Sequence, residues 1–146
     1  MLRGSSTAKI DSRGRLKVPA SFRKLIEEHY GRSMFVTSLD GSFVRVYPEP
    51  VWQELEAKLS SVPSMNPKRQ KLLNWVNRWG QMAEMDGQGR ILIHPEVRKA
   101  AEIRSEVRVL GQQKYLDVWN EEKFTKKLEE EPLTEEDFEV LSNLGV

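Results

Sequence analysis

The chain has 146 residues, of which 38% are hydrophobic and none is cysteine. This length and composition can build a core in one compact domain, or in two small domains that share it. Because cysteine is absent, disulfides, thiolate zinc sites and cysteine nucleophiles are excluded. No apolar run approaches the roughly 18 residues of a membrane span and the N-terminus lacks a secretion signal, which predicts a cytoplasmic protein without a membrane partner. The net charge of +1 is unevenly distributed along the chain. Residues 129–146 hold seven acidic and no basic side chains, so residues 1–128 have a net charge of +8. A basic body of this kind favours a polyanionic partner.

The first predicted element is a turn that recurs 75 residues later, since Asp11–Val18 reads DSRGRLKV and Asp86–Ile93 reads DGQGRILI. Aspartate at the first position and glycine at the fourth are typical of a type I turn, in which Gly14 and Gly89 can take a positive φ and form a bulge. Each turn predicts a local hairpin. The strands expected to flank the turns are Ala8–Ile10 with Arg15–Val18 and Met82–Met85 with Arg90–Ile93.

Each turn opens a longer unit of strand, turn, strand, helix, second hairpin and closing helix, so that one module is used twice. In the first unit Ser21–His29 predicts the helix, Met34–Thr37 and Phe43–Tyr47 predict the second hairpin, and the closing helix carries Trp52. The counterparts in the second unit are a helix at Glu96–Ala101, a hairpin of Val107–Leu110 and Tyr115–Trp119, and a closing helix that carries Phe124.

The segments between and after the units differ in character. Ser60–Pro67 is typical of a linker, and Lys68–Met82 predicts a helix with a basic polar face. Its apolar stripe, formed by Leu72, Trp75, Val76 and Trp79, is expected in the core, with a partner subunit as the alternative. Thr134 begins a capping box before a final short helix. The predicted division is residues 1–62 for the first unit, 63–81 for the linker and connecting helix, 82–128 for the second unit and 129–146 for the acidic tail.

Catalytic machinery is not apparent in the sequence. His29 and His94 occupy unrelated positions in the two units, without companion ligands at metal-binding spacing. There is also no phosphate-binding loop and no nucleophile elbow. We therefore expect no catalytic residues, no metal, no cofactor and no enzyme activity.

The first turn is far more basic than the second. Residues 9–24 hold six basic side chains against one acidic, whereas residues 84–99 hold three of each. A motif that served folding alone would carry similar charge in both copies, so the difference predicts nucleic-acid contact; a two-stranded ribbon fits the major groove and arginine suits phosphates and guanine edges. The predicted DNA contacts are Arg3, Lys9, Arg13, Arg15 and Lys17.

Other motif residues occur in both copies and are therefore expected to shape the turn. Aspartate at a turn start caps it, and the arginine four residues later can brace the turn or pair with the carboxylate. Arg13, which is replaced by Gln88 in the second copy, is the better candidate for DNA contact. The predicted turn residues are Asp11, Gly14, Asp86, Gly89 and Arg90.

The segments MLRGSSTAKIDSRGRLKVPASFR, EMDGQGRILIHPEVRKAAEI, VWQELEAKL and VWNEEKF resemble the MraZ family, in the right order up to about residue 128. The repeated Asp-x-x-Gly-Arg resembles the family's signature, which AbrB-like DNA-binding proteins share. The resemblance implies an α+β fold, in which two tandem AbrB-like swapped-hairpin units form a small β-barrel-like core with flanking helices. His94, where the first copy has Pro19, departs from the pattern, and the acidic end is less typical.

The resemblance also implies a function. It points to a transcriptional regulator, usually a repressor, of the division and cell-wall gene cluster, including its own operon. The expected partners are double-stranded operator DNA with short direct repeats and further copies of the chain in a closed ring, and the expected location is the nucleoid within the cytoplasm.

Other interpretations stay open. The chain could be a ring-forming protein-interaction or assembly module whose basic face meets an acidic protein and has only non-specific DNA affinity. RNA binding has less support, because no aromatic platform is interleaved with the basic hairpin. The acidic tail could compete for the basic surface or serve solubility alone.

Overall fold

The computed structural model describes all 146 residues and contains eight strands and six helices. The elements in chain order are β1 (Ser5–Lys9), β2 (Arg15–Lys17), α1 (Ala20–His29), β3 (Ser33–Thr37), β4 (Val44–Pro48), α2 (Glu49–Ser60), α3 (Pro67–Trp79), β5 (Gln81–Glu84), β6 (Arg90–Leu92), α4 (Pro95–Ala100), β7 (Glu106–Gly111), β8 (Leu116–Trp119), α5 (Glu121–Glu130) and α6 (Glu135–Asn143). The α+β class predicted from the sequence is confirmed.

The strands form two antiparallel sheets. Six strands lie in the order β1-β7-β8-β4-β3-β5, and β2 pairs with β6 in a separate two-stranded ribbon. The predicted second hairpins, β3–β4 and β7–β8, are confirmed. The predicted hairpins across the two repeated turns are wrong, because β1 pairs with β7, β5 pairs with β3, and only an isolated bridge joins Ile10 to Leu16.

Burial explains this exchange of partners. Each ribbon strand has only three residues, and the register places Leu16 of β2 opposite Ile91 of β6. Both side chains are fully buried. The pairing between β2 and β6 therefore brings the central apolar residue of each short strand into the core, which a local hairpin need not do.

The sheet is not closed into a barrel, which corrects the barrel-like core implied by the resemblance. β1 and β5 are the free edges of the six-stranded sheet. The β2–β6 ribbon does not connect them into one hydrogen-bonded ladder, so the closure that defines a barrel is absent.

One core of 20 buried hydrophobic residues draws on both halves of the chain, from Leu2 to Val118. A smaller aromatic cluster joins β3 and β4 to α2 and α3, with the rings of Phe35 and Trp52 stacked 4.6 Å apart. Phe124, the repeat counterpart of Trp52, packs on Trp119 at a ring distance of 5.8 Å. The predicted division into units stays a prediction about the repeat, since this core is shared.

The connecting helix α3 differs from the prediction in two ways. It ends at Trp79 rather than Met82, because the backbone of Gly80 is extended and β5 begins at Gln81. Its predicted core stripe is only partly buried, since Val76 is buried whereas Leu72 and Trp75 are 40% and 47% exposed.

The final helix α6 begins with the predicted capping box, in which the Thr134 hydroxyl accepts from the Asp137 amide and the Asp137 carboxylate accepts from the Thr134 amide. None of its residues is buried. Among the six helices, none has the length and hydrophobicity to cross a membrane.

Candidate nucleic-acid interface

The repeated motif folds into two closely similar turns, turn 1 (Asp11–Arg15) and turn 2 (Asp86–Arg90). In turn 1, Oδ1 of Asp11 accepts from the amides of Arg13 and Arg15, both at 2.9 Å, and Oδ2 accepts from Nε of Arg15 at 2.7 Å. Gly14 has a φ of +81°, as the type I turn with a bulge requires. Turn 1 thus combines an aspartate cap with a glycine at positive φ.

Turn 2 repeats this arrangement. Oδ1 of Asp86 accepts from the amides of Gln88 and Arg90 at 2.8 and 2.9 Å, Oδ2 accepts from Nε of Arg90 at 3.0 Å, and Gly89 has a φ of +77°. The Arg90 amide is the main cause that lowers the pKa of Asp86 to about 2. In turn 1 the amide of Arg15 likewise lowers the pKa of Asp11. Both aspartates thus act as turn caps whose charged form is stabilised.

Each turn is also contacted by an arginine from the helix of the opposite repeat. Arg23 of α1 donates from Nη2 to the carbonyl of Gly87 in turn 2 at 2.9 Å. Arg98 of α4 lies against Gly14 in turn 1, where it donates from Nη1 to the carbonyl of Ile93 at 3.2 Å. These arginines recur at the same spacing in both copies, but the sequence alone does not assign them this role.

Backbone hydrogen bonds complete the exchange. The amide of Val18 donates to Gly89, and the amide of Ile93 donates to Gly14, both at 2.9 Å. The glycine of each turn therefore accepts from the strand that leaves the other turn. As a result the two turns and the β2–β6 ribbon form one hydrogen-bonded structure to which both repeats contribute.

The solvent-facing side of this ribbon is basic. Leu16 and Ile91 point into the core, so their neighbours face outward: Arg15 and Lys17 on β2, with Arg90 and Leu92 on β6. Lys17 lies directly opposite Arg90. Arg90, which the sequence predicted only as a turn residue, thus shares a face with the predicted DNA contacts.

The side chains predicted to contact DNA differ in how free they are. Arg13 is exposed at the tip of turn 1, and its side chain makes no hydrogen bond within the chain. Arg15 is partly committed, because its Nε pairs with Asp11 while neither terminal Nη donates to a protein atom. Lys17 donates its Nζ to the carbonyl of Gln88 in turn 2.

The other two predicted contacts lie at opposite ends of β1. Lys9 ends the strand and lines a shallow cavity of about 380 Å³ with Lys17 and Arg23. Arg3 precedes the strand and lies against Gly111, before the turn that joins β7 to β8. The structure therefore brings Lys9 together with the ribbon but separates Arg3 from turn 1 by the length of β1.

The two histidines lie in different parts of the fold. His29 lies in the last turn of α1, and His94 is the residue before α4. No group of three or more His, Cys, Asp or Glu side chains in the molecule is placed to hold a metal ion.

Comparisons with known proteins agree on one family. The family described as "MraZ protein, putative antitoxin-like" matches residues 1–74 and 80–143. The protein named transcriptional regulator MraZ from Koribacter versatilis is 48% identical over 147 residues, and that from Acidobacterium capsulatum is 43% identical over 146 residues, with full coverage of both chains in each case. The one from Nitrosospira multiformis is 35% identical and covers 88% of each chain. The acidic tail thus falls within the first two matches, and the chain belongs to the MraZ family.

Proposed function

We propose that this protein is a DNA-binding transcriptional regulator that acts in the cytoplasm, at the nucleoid. The observation that carries the proposal is the exposed basic face formed by turn 1 and the β2–β6 ribbon. Relatives named transcriptional regulators support it. The proposed role needs no cofactor and is not enzymatic.

The geometry favours insertion of turn 1 into a groove. A two-stranded ribbon fits the major groove, where arginine can donate two hydrogen bonds to guanine. In this proposal Arg13 at the tip contacts a base edge or a phosphate, and Lys9, Lys17 and Arg90 contact the flanking phosphates. Arg15 can contact DNA through its Nη groups while its Nε keeps the turn intact. Arg3 contributes only where the DNA runs along β1.

The finer proposal is that several copies act together. One turn makes few phosphate contacts, so a single chain should bind weakly. A closed ring that presents identical turns at a fixed spacing would engage successive direct repeats, and the effective concentration would raise the avidity by about 10²–10⁴. Such an assembly would suit repression of the chain's own operon in the division and cell-wall cluster.

The alternative function is an assembly module with only non-specific DNA affinity. The observation in its favour is the exposed apolar surface on α3 and α6, which has the character of an interaction site rather than of a free surface. In that case the basic ribbon would meet an acidic protein.

Fluorescence anisotropy with labelled DNA separates the two functions. The probe is DNA from upstream of the chain's own gene, with a scrambled duplex of the same composition as control, over a salt series. A regulator should prefer the native duplex by at least about 10³-fold and lose affinity steeply with salt. Equal binding to both duplexes would contradict the proposal and favour the assembly module.

A further inference from the structure

The C-terminal helix α6 carries an apolar face that nothing in the chain covers. Phe138, Val140 and Leu144 are 55%, 60% and 73% exposed. With about 100° between successive residues of a helix, Phe138, Val140 and Leu141 lie on one side of α6. Leu144 follows the end of the helix, and Asp137, the capping residue of the first turn, projects to the same side. Glu135 and Glu136 border that side, and Glu139 lies opposite it. An exposed set of apolar side chains of this kind marks an interaction site.

A groove of matching character lies between α2 and α3. It is a cavity of about 280 Å³ whose nine lining residues include eight hydrophobic ones, with Trp52 and Leu59 from α2 and Leu72 and Val76 from α3. The exposed ring of Trp75 extends the apolar surface along α3. The groove is thus open to solvent and suited to apolar side chains.

The charges of the two helices are complementary. α3 carries Lys68, Arg69, Lys71 and Arg78 and no acidic residue, whereas α6 carries four acidic residues and no basic one. Lys68 lies one helical turn before Leu72, and Lys71 lies one turn before Trp75, so both lysines flank the exposed apolar surface of α3 on the side of Trp75. Complementary borders of this kind steer two surfaces together and fix their register.

We propose that α6 of one copy docks into the α2–α3 groove of a second copy, with Phe138 and Leu141 against the groove and the acidic border of α6 against Lys68 and Lys71. Within one chain none of the residues of α6 is buried, so its apolar side chains stay accessible. The helix and the groove are different surfaces, so the contact is heterologous and can be repeated head to tail. The proposal identifies the contact for the assembly proposed above, but it does not depend on DNA binding.

Charge exchange in the full-length chain tests the proposal. The variants are Glu135→Lys with Glu136→Lys on α6, Lys68→Glu with Lys71→Glu on α3, and all four together. Sedimentation velocity without DNA, over a concentration series, measures assembly. Each double variant should weaken association by about tenfold or more, and the fourfold variant should restore it. Glu139→Lys makes a like charge change away from the apolar face and should leave assembly unchanged.

The outcomes are decisive in each case. A monomeric wild-type chain, or double variants that assemble as the wild type does, would overturn the proposal. Weakened association that the fourfold variant fails to restore would overturn the pairing with α3. If the wild type is monomeric and the α6 variant binds DNA more tightly, the tail competes for the basic ribbon instead. Anisotropy with a single-site duplex, run on the same variants, reports the DNA-binding proposal separately.

Discussion

Gly14→Ala tests whether the contact between Arg98 of the second repeat and turn 1 stabilises the fold. Gly14 has a φ of +81°, and a methyl group on it would overlap Nη1 of Arg98 and lie 3.2 Å from the carbonyl of Ile93. A left-handed alanine costs about 1 kcal/mol, and the displaced arginine loses its hydrogen bond to Ile93, worth about 1 kcal/mol. We therefore expect Gly14→Ala to lower the free energy of unfolding by about 2 kcal/mol.

Gly31→Ala is the matched control. Gly31 has a φ of +87° with no atom within 4 Å of the added methyl group, so only the backbone term of about 1 kcal/mol applies. Urea unfolding at a fixed protein concentration measures both variants. Placed on an Arg98→Ala background, Gly14→Ala should cost only as much as Gly31→Ala, which gives a coupling free energy of about 1 kcal/mol.

Two results would show that Arg98 does not stabilise turn 1. Equal losses for Gly14→Ala and Gly31→Ala would mean that Arg98 yields without cost. Additivity of Gly14→Ala and Arg98→Ala within about 0.3 kcal/mol would mean that the arginine does not brace turn 1.

Three further predictions concern stability and the turn. Asp117→Ala should lower the free energy of unfolding in urea by about 3 kcal/mol. Arg45 makes two hydrogen bonds, of 2.8 and 3.2 Å, to the buried Asp117 and would lose this carboxylate partner. An unfolding midpoint equal to that of the wild type would contradict this prediction. The pKa of Asp86 is lowered to about 2 from its ordinary 3.8, so the contribution of its carboxylate to folding stability is complete above pH 3.8 and is lost as the pH falls towards 2. The melting temperature of Asp86→Asn should therefore depend less on pH in that window than the melting temperature of the wild type. An unchanged pH profile would mean that the Asp86 carboxylate does not stabilise turn 2. Arg15→Ala should lower both DNA affinity and melting temperature, since it removes the pair with Asp11; a loss of affinity at an unchanged melting temperature would show that the pair does not stabilise the turn.

The local geometry of the turns could be predicted from the sequence because it depends on adjacent residues. Aspartate caps the amides two and four residues ahead, and glycine supplies the positive φ. The strand partners could not be predicted by the same local rule. β2 pairs with a strand 75 residues away, and the signal that favoured this was the repeat itself, which gave Leu16 and Ile91 equivalent apolar positions.

Side-chain contacts between residues far apart in the chain could not be predicted from the sequence either. Arg23 and Arg98 recur at one spacing, but only the exchanged fold brings each to the turn of the other repeat. Arg45 and Asp117 meet as cross-strand neighbours of β4 and β8, which the sequence leaves 72 residues apart. The stripe on α3 was expected in the core, yet the exposure of Leu72 and Trp75 depends on where α2 and the sheet end, which helical periodicity does not encode.

Contact between turn 1 and DNA is tested by the substitution Arg13→Gln. The substitution gives turn 1 the residue that turn 2 has as Gln88, and it breaks no hydrogen bond of the Arg13 side chain. Anisotropy over a salt series on the native upstream duplex should show about tenfold weaker binding, and the slope of log affinity against log salt should become shallower by about 0.9 for each phosphate that Arg13 neutralises in the wild type. Lys126→Gln, which removes one charge from α5, should bind as the wild type does. Equal affinities and equal salt slopes for Arg13→Gln and the wild type would mean that Arg13 of turn 1 does not contact DNA.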